Sequence, residues 1–204
     1  MEYTEVITPP STLPVSTADL KAHLRLNDSS EDTLLSDWIT AAASLFASTT
    51  GYSLTTTTLR LALDRWSRGG VIYLPRHPVA SVTSTQYLDT AGSWQTLAGT
   101  TTDLGSVPSR IVLPSGLPAL HATAVPRVRV QFVAGHSTAG AVPRLICVAI
   151  KELAAHWYAS REAYGQARLS ETPLGWRSIC DQYRTGILGP WNEQPQFYSE
   201  VPHA

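Results

Sequence analysis

The sequence predicts an α+β protein: a helical bundle of about four helices, with an antiparallel β-sheet or sandwich inserted between the second and third helices. Three features lead to that class. Two apolar stripes of helical period, at 34–46 and 142–157, stand more than a hundred residues apart. Between them, from Leu54 to Ala134, apolar residues alternate with a period of two in short runs. Gly, Pro, Asp and Ser break those runs at close intervals, as turns require.

Met1 to Pro14 reads as an extended arm, because Pro9, Pro10 and Pro14 block helix. Ser16 opens the first helix, and Asp19 stands three residues on, in capping-box position. Leu20 and Leu24 share one face of it, and the residues from Asn27 to Ser30 make a turn. The second helix is expected to be capped by Asp28 or Ser29 and to run to about Thr50. Leu34, Leu35, Trp38, Ile39, Ala42, Leu45 and Phe46 form its stripe. Glu31 and Asp32 fall in its first turn, where they favour the positive end of the helix dipole. Gly51 suits the stop position.

The period-two region is expected to hold about six short strands. Leu59, Leu61 and Leu63 alternate with Arg60, Ala62 and Asp64; Val71 to Leu74 follows a turn at Trp66 to Gly70. Val79 to Leu88 is the next strand, and Trp94 to Leu97 pairs back on it as a hairpin. Asp103 to Val107 and Arg110 to Leu113 are short candidates. Val128, Val130 and Phe132 alternate with Arg127, Arg129 and Gln131 before Gly135 closes the strand.

The third helix spans Val142 to Glu162, with Val142, Leu145, Ile146, Ala149, Ile150, Leu153 and Trp157 on one face. Pro143 is tolerated in its first turn, where a missing N–H costs nothing. About twenty helical residues reach roughly 30 Å, enough to cross a small domain. Packed antiparallel, the two long helices would bury a core of Leu35, Trp38, Ile39, Ala42, Phe46, Ile146, Ile150, Leu153 and Trp157. A last helix starts with Thr172 as cap and Pro173 behind it, and presents Trp176, Ile179, Cys180, Tyr183 and Ile187. The predicted division is therefore an arm and two helices over 1–53, a β domain over 54–135, two helices over 136–189 and a tail over 190–204. That tail holds Trp191, Phe197 and Tyr198 with no periodicity to bury them.

Charged residues make up only 15% of the chain, against about 25% in ordinary soluble domains. Two readings account for this: a subunit buried in an assembly, or a Ser- and Thr-rich β protein that is merely uncharged. The net charge of −1 is unevenly spread. Up to Leu59 there are seven acids and two bases; from Arg60 to Pro190 there are thirteen bases and seven acids. Bulk charge therefore excludes a nucleic-acid-binding domain, although a local basic surface stays open. Arginine occurs thirteen times and lysine twice. That bias suits interface pairing and phosphate contact, and a GC-rich genome would produce it equally. Arg127 and Arg129, two apart on one strand, are candidates to contact DNA phosphates or the acids of a neighbouring subunit, Glu31 and Asp32 among them.

Enzyme chemistry finds little support. The six histidines, at 23, 77, 121, 136, 156 and 203, form no HExxH and no metal-binding pair. No GxSxG or phosphate loop occurs, and Gly69-Gly70 lacks the Lys and the following helix that such a loop needs. Cys147 and Cys180 fall in apolar helices and are expected to be buried, reduced thiols. No catalytic residue, metal or cofactor is expected. MEYTEVITPP has no apolar core and does not read as a signal peptide; no apolar run is long enough to span a membrane.

Several segments nevertheless resemble one family. DTLLSDWITAAASLFASTTGYSL, LALDRW, IYLPRHPVASVTSTQYLD, VRVQFVAGH and VPRLICVAIKELAAHWYASRE occur in the order and spacing of the head–tail connector (adaptor) proteins of long-tailed phages and related gene transfer agents. The likeness runs from about Leu13 to Glu162. The resemblance implies structural work without catalysis. It implies a homo-oligomeric, dodecameric ring beneath the portal, which prolongs the DNA channel and meets stopper or tail proteins. DNA would pass without sequence-specific binding, and the protein would reside in the virion neck after assembly in the host bacterial cytoplasm. Family members hold the portal through C-terminal segments, which here would place Trp191, Phe197 and Tyr198 on it. Two alternatives remain at this stage. One is another neck component, a stopper or tail-completion protein. The other is a ligand- or glycan-binding β module lined by Trp66, Trp94 and Tyr87.

Overall fold

The computed structural model describes residues 2–159 and 174–185. It is a mixed α+β chain with four α-helices and antiparallel sheets among those residues. The strands are β1 (Glu2–Thr8), β2 (Thr57–Leu63), β3 (Val71–Tyr73), β4 (Val79–Leu88), β5 (Trp94–Thr96), β6 (Thr101–Asp103), β7 (Arg110–Val112) and β8 (Val128–Ala134). The helices are α1 (Thr17–Leu24), α2 (Asp32–Thr50), α3 (Arg144–Ala159) and α4 (Leu174–Tyr183). They divide into a helical unit, residues 11–55 and 136–184, and a sheet unit built chiefly from 1–10 and 56–135.

In the helical unit, Ser16 and Asp19 form the reciprocal capping box that their spacing predicts. α1 ends on Arg25, held at φ 59, a left-handed turn whose N–H reaches back to the last carbonyls. The cap of α2 differs from expectation. Glu31, not Asp28 or Ser29, is its N-cap residue. The Asp28 carboxylate is already occupied by the backbone N–H and hydroxyl of Ser30, at 3.0 and 2.6 Å. That local turn delays the helix to Asp32. Gly51, at φ 74, ends it with its N–H on the Ala47 carbonyl.

The two long stripes meet in one cluster. Leu35, Ile39, Ala42 and Phe46 of α2 are buried with Ile146, Ile150 and Leu153 of α3, and Trp38 and Trp157 pack on its margin. Trp38 and Trp157 lie 5.7 Å apart, and the Tyr158 hydroxyl donates to Glu31. The start of α2 therefore lies beside the end of α3, and the pair is antiparallel. α4 closes the cluster: Trp176 meets Phe46 edge-on at 5.6 Å, and Cys180 is buried beside it. Two stripe residues depart from the prediction. Leu45 and Leu145 are each 40% exposed. They sit at the edge of stripes wider than the contact between two cylinders can cover. The predicted cap at Thr172 and Pro173, the extension of α3 to Glu162, Ile187 and the tail aromatics lie outside the described residues.

The sheet unit holds two antiparallel sheets, one in the order β1-β2-β8-β4-β5 and one in the order β3-β7-β6. β2 and β8 pair in register, Leu59 with Phe132, Leu61 with Val130 and Leu63 with Val128. Directly opposed residues share a face, so these six side chains form one apolar surface. Ile72 of β3 and Ile111 of β7 join the same core, together with Leu74, Leu97 and Leu113. The alternation read from the sequence is thus the alternation of burial: along β8, positions 128, 130, 132 and 134 are buried while 129, 131 and 133 are only half so. Two strands differ from expectation. β6 is Thr101–Asp103 rather than Asp103–Val107, a polar strand with no apolar alternation to reveal it. The arm is a true strand along Glu2–Thr8, paired with β2 from Glu2↔Leu63 to Thr8↔Thr58.

Candidate assembly surface

The residues expected to carry contacts are largely engaged within the chain. Glu31 accepts from the Tyr158 hydroxyl, and Asp32 accepts from Lys21 Nζ at 2.8 Å. These acids staple α2 to α3 and to α1. Asp19 is likewise internal, and the Ser16 hydroxyl and N–H hold its carboxyl below the usual range.

In the sheet unit, Arg129 lies on β8 and Arg127 one residue before that strand. Arg129 Nε donates to Gln86 Oε1 at 2.7 Å, and the guanidinium carbon stands 4.0 Å over the Trp94 ring. Such a stack fixes a guanidinium plane while leaving its edge available for a further acceptor. Partial burial, with Arg60 nearby, lowers the Arg129 pKa. Arg127 donates through Nη1 to the His121 carbonyl at 3.3 Å. Elsewhere Arg110 pairs with Asp103 at 3.0 Å, and Asp89 spends its carboxylate on the β4–β5 turn, accepting from Ala91, Ser93 and Gln95.

The three aromatics that would serve a glycan platform are otherwise occupied. Trp66 packs against Tyr87 at 5.9 Å and donates its indole N–H to the Pro118 carbonyl at 3.0 Å; Trp94 is covered by Arg129. Each of these half-buried rings thus already has a partner within the chain.

Burial shifts the titration of His136, Cys147 and Cys180. His136 accepts or donates one hydrogen bond with the Tyr52 hydroxyl at 2.9 Å, and burial lowers its pKa, favouring the neutral ring. Burial pushes the Cys147 thiol up, and the Cys180 thiol up to about 12, so neither is a thiolate near neutrality. Among the described residues no group of three His, Cys, Asp or Glu side chains could hold a metal, and no helix is long and apolar enough to cross a membrane.

One surface is not evident from the sequence pattern. β1 is the open edge of the five-stranded sheet, and six of its seven residues are exposed. Its signal is weak: Tyr3, Thr4, Val6, Ile7 and Thr8 favour strand, but they show no period-two alternation and prolines follow.

Comparison with known proteins shows what the chain is similar to. A family model described as "Phage gp6-like head-tail connector protein" matches residues 15–86. The fold is similar to a chain in the neck of an empty gene transfer agent particle computed with C6 symmetry. That match has a TM-score of 0.73 and 26% identity over 95% of this chain and all of that one. A chain of the virion of a native gene transfer agent particle gives a TM-score of 0.74 and 28% identity, covering 89% of this chain and 95% of that one. A chain in the native neck computed with C12 symmetry gives 0.69 and 26%, covering 96% and 100%. No match was found among curated proteins. Residues 15–86 are thus similar to phage head–tail connector proteins, and the fold is similar to that of chains in gene transfer agent particles.

Proposed function

We propose that this chain is the head–tail adaptor of a tailed phage or gene transfer agent. It forms a ring under the portal, extends the DNA channel and joins head to tail. The observation that carries the reading is the end-to-end match to chains of two neck structures, computed with C6 and C12 symmetry. A cyclic ring needs two different faces on each subunit, and the opposite edges of the five-stranded sheet supply two. The ring is dodecameric in this reading and assembles in the host bacterial cytoplasm. Its partners are the portal above and stopper or tail proteins below, with DNA passing through without sequence-specific contact.

Residues 190–204 are the proposed portal anchor, through Trp191, Phe197 and Tyr198, because large aromatics without a local core often carry interface energy. Arg127 and Arg129 are the proposed basic side of the subunit interface. The α2 acids Glu31 and Asp32 are weaker partners for them than their sequence suggests, since Tyr158 and Lys21 already hold them.

Negative-stain imaging of the purified protein mixed with portal tests the reading. Coaxial rings stacked on the portal are expected. Ending the chain after Gly189 is expected to abolish that stacking while leaving the far-UV spectrum unchanged. A truncated protein that still decorates portals would remove the tail from the interface, and single subunits that never form rings would remove the adaptor reading.

A further inference from the structure

We propose that β1 is the strand through which one copy of this chain joins the next. Its open edge and uncovered core-side shelf would meet the opposite, β5-bearing edge of the neighbour's sheet. The inference rests on the ring reading above and assigns its interface.

The register carries the argument. Glu2, Thr4 and Val6 stand opposite Leu63, Leu61 and Leu59. Opposed residues of an antiparallel pair share a face, so these three side chains prolong by one strand the surface that buries Leu59, Leu61, Val130 and Phe132. Yet among the described residues no core side chain is shown packing on that prolongation. Val6 is 53% exposed, and no β1 residue belongs to the sheet unit's core. On the other face Tyr3, opposite Ala62, is 46% exposed. β1 is therefore held by its ladder to β2 and by one long ion pair, Arg60 to Glu5 at 3.5 Å. Beyond it no further strand pairs among the described residues.

Natural proteins protect such edges with lysines, prolines inside the strand, or a cover. β1 has seven residues, no lysine and no internal proline. A second copy fits it for two reasons. A closed ring brings opposite faces of identical subunits together, and here the opposite edge is β5. There Gln95 and Thr96 are exposed, and Arg129 lies over Trp94. The charges also match, with Glu2 and Glu5 on β1 and the Arg129 guanidinium beside β5.

The test is mass photometry and negative stain of the full chain, alone and with portal. Val6→Lys is expected to lower ring formation at least tenfold with an unchanged melting temperature. Arg129→Glu is expected to do the same, and adding Glu2→Arg and Glu5→Arg to it is expected to restore rings. Amide exchange at residues 2–8 should slow on assembly, in the wild type and in a Trp191→Ala, Phe197→Ala, Tyr198→Ala variant alike. Rings that persist undiminished in Val6→Lys would overturn the assignment of β1 but leave the adaptor reading standing. So would protection of β1 in the monomer that the aromatic variant abolishes, because the chain's own tail would then be its cover. Absence of rings from the wild type, with portal as without, would overturn both.

Discussion

The helical unit and the sheet unit solve the same problem, burying a face, from opposite ends. The helical unit joins α2 to α3 across almost a hundred residues of chain, and Phe46 and Ile150 are buried together in the result. The sheet unit is assembled from short strands, several paired with a near neighbour in sequence, as β4 is with β5 and β6 with β7. Only the β2–β8 ladder spans the whole segment, and it forms the centre of the five-stranded sheet. The contrast teaches where cohesion lies. One unit depends on a few large side chains at a helix–helix seam, the other on strand ladders, of which β1–β2, β2–β8, β4–β8 and β3–β7 all join residues far apart in the chain.

Core truncation breaks the comparison most forcefully. Phe46→Ala and Phe132→Ala each remove a fully buried ring and are each expected to cost about 3–5 kcal/mol. Amide exchange should localise the damage. Phe46→Ala is expected to speed exchange in α2, α3 and α4, and Phe132→Ala in β2, β4 and β8. Uniform acceleration across both units in either variant would show a single cooperative block instead.

A pH titration sharpens the difference next, because a strongly raised thiol, Cys180, lies in the helical unit. Its folded-state pKa lies above the ordinary thiol value, so the stabilisation is complete below the latter and is lost as pH rises towards about 12. Each pH unit within that window is expected to cost about 1.4 kcal/mol. Denaturant unfolding at pH 8 and pH 10 should show a larger loss in wild type than in Cys180→Ala, where the raised Cys147 thiol still contributes.

Smaller effects probe the seams of the helical unit alone. Tyr158→Phe removes the donor that ties the end of α3 to Glu31 and is expected to cost about 1–2 kcal/mol by chemical denaturation. Ser16→Ala removes the α1 cap and is expected to cost about 1 kcal/mol. A helical unit indifferent to both would place its cohesion wholly in the apolar cluster.

Much of this architecture is legible in the residues. The α2 and α3 stripes, the Ser16–Asp19 box, the Gly51 stop and the β4–β5 hairpin can all be read directly, because each depends on near neighbours in the chain. The rest depends on competition or on distance. Asp28 was the obvious cap for α2, but its carboxylate is captured by Ser30. Thr101–Asp103 forms a strand only because Arg110–Val112 lies beside it. The acids Glu31 and Asp32 looked available for a neighbour; Tyr158 comes from more than a hundred residues away to claim the first of them.

The amino-acid order alone determined the helices and the apolar strands of the inserted segment, and which side of each is apolar. Those properties follow from backbone periodicity and local side-chain chemistry, which act within a few residues. Tertiary structure alone decided which polar groups are already spent and which edge is left open. Arg129 over Trp94 and the unburied β1 are products of strand register. Register is set by the summed packing of the whole sheet, so no local stretch of sequence announces it.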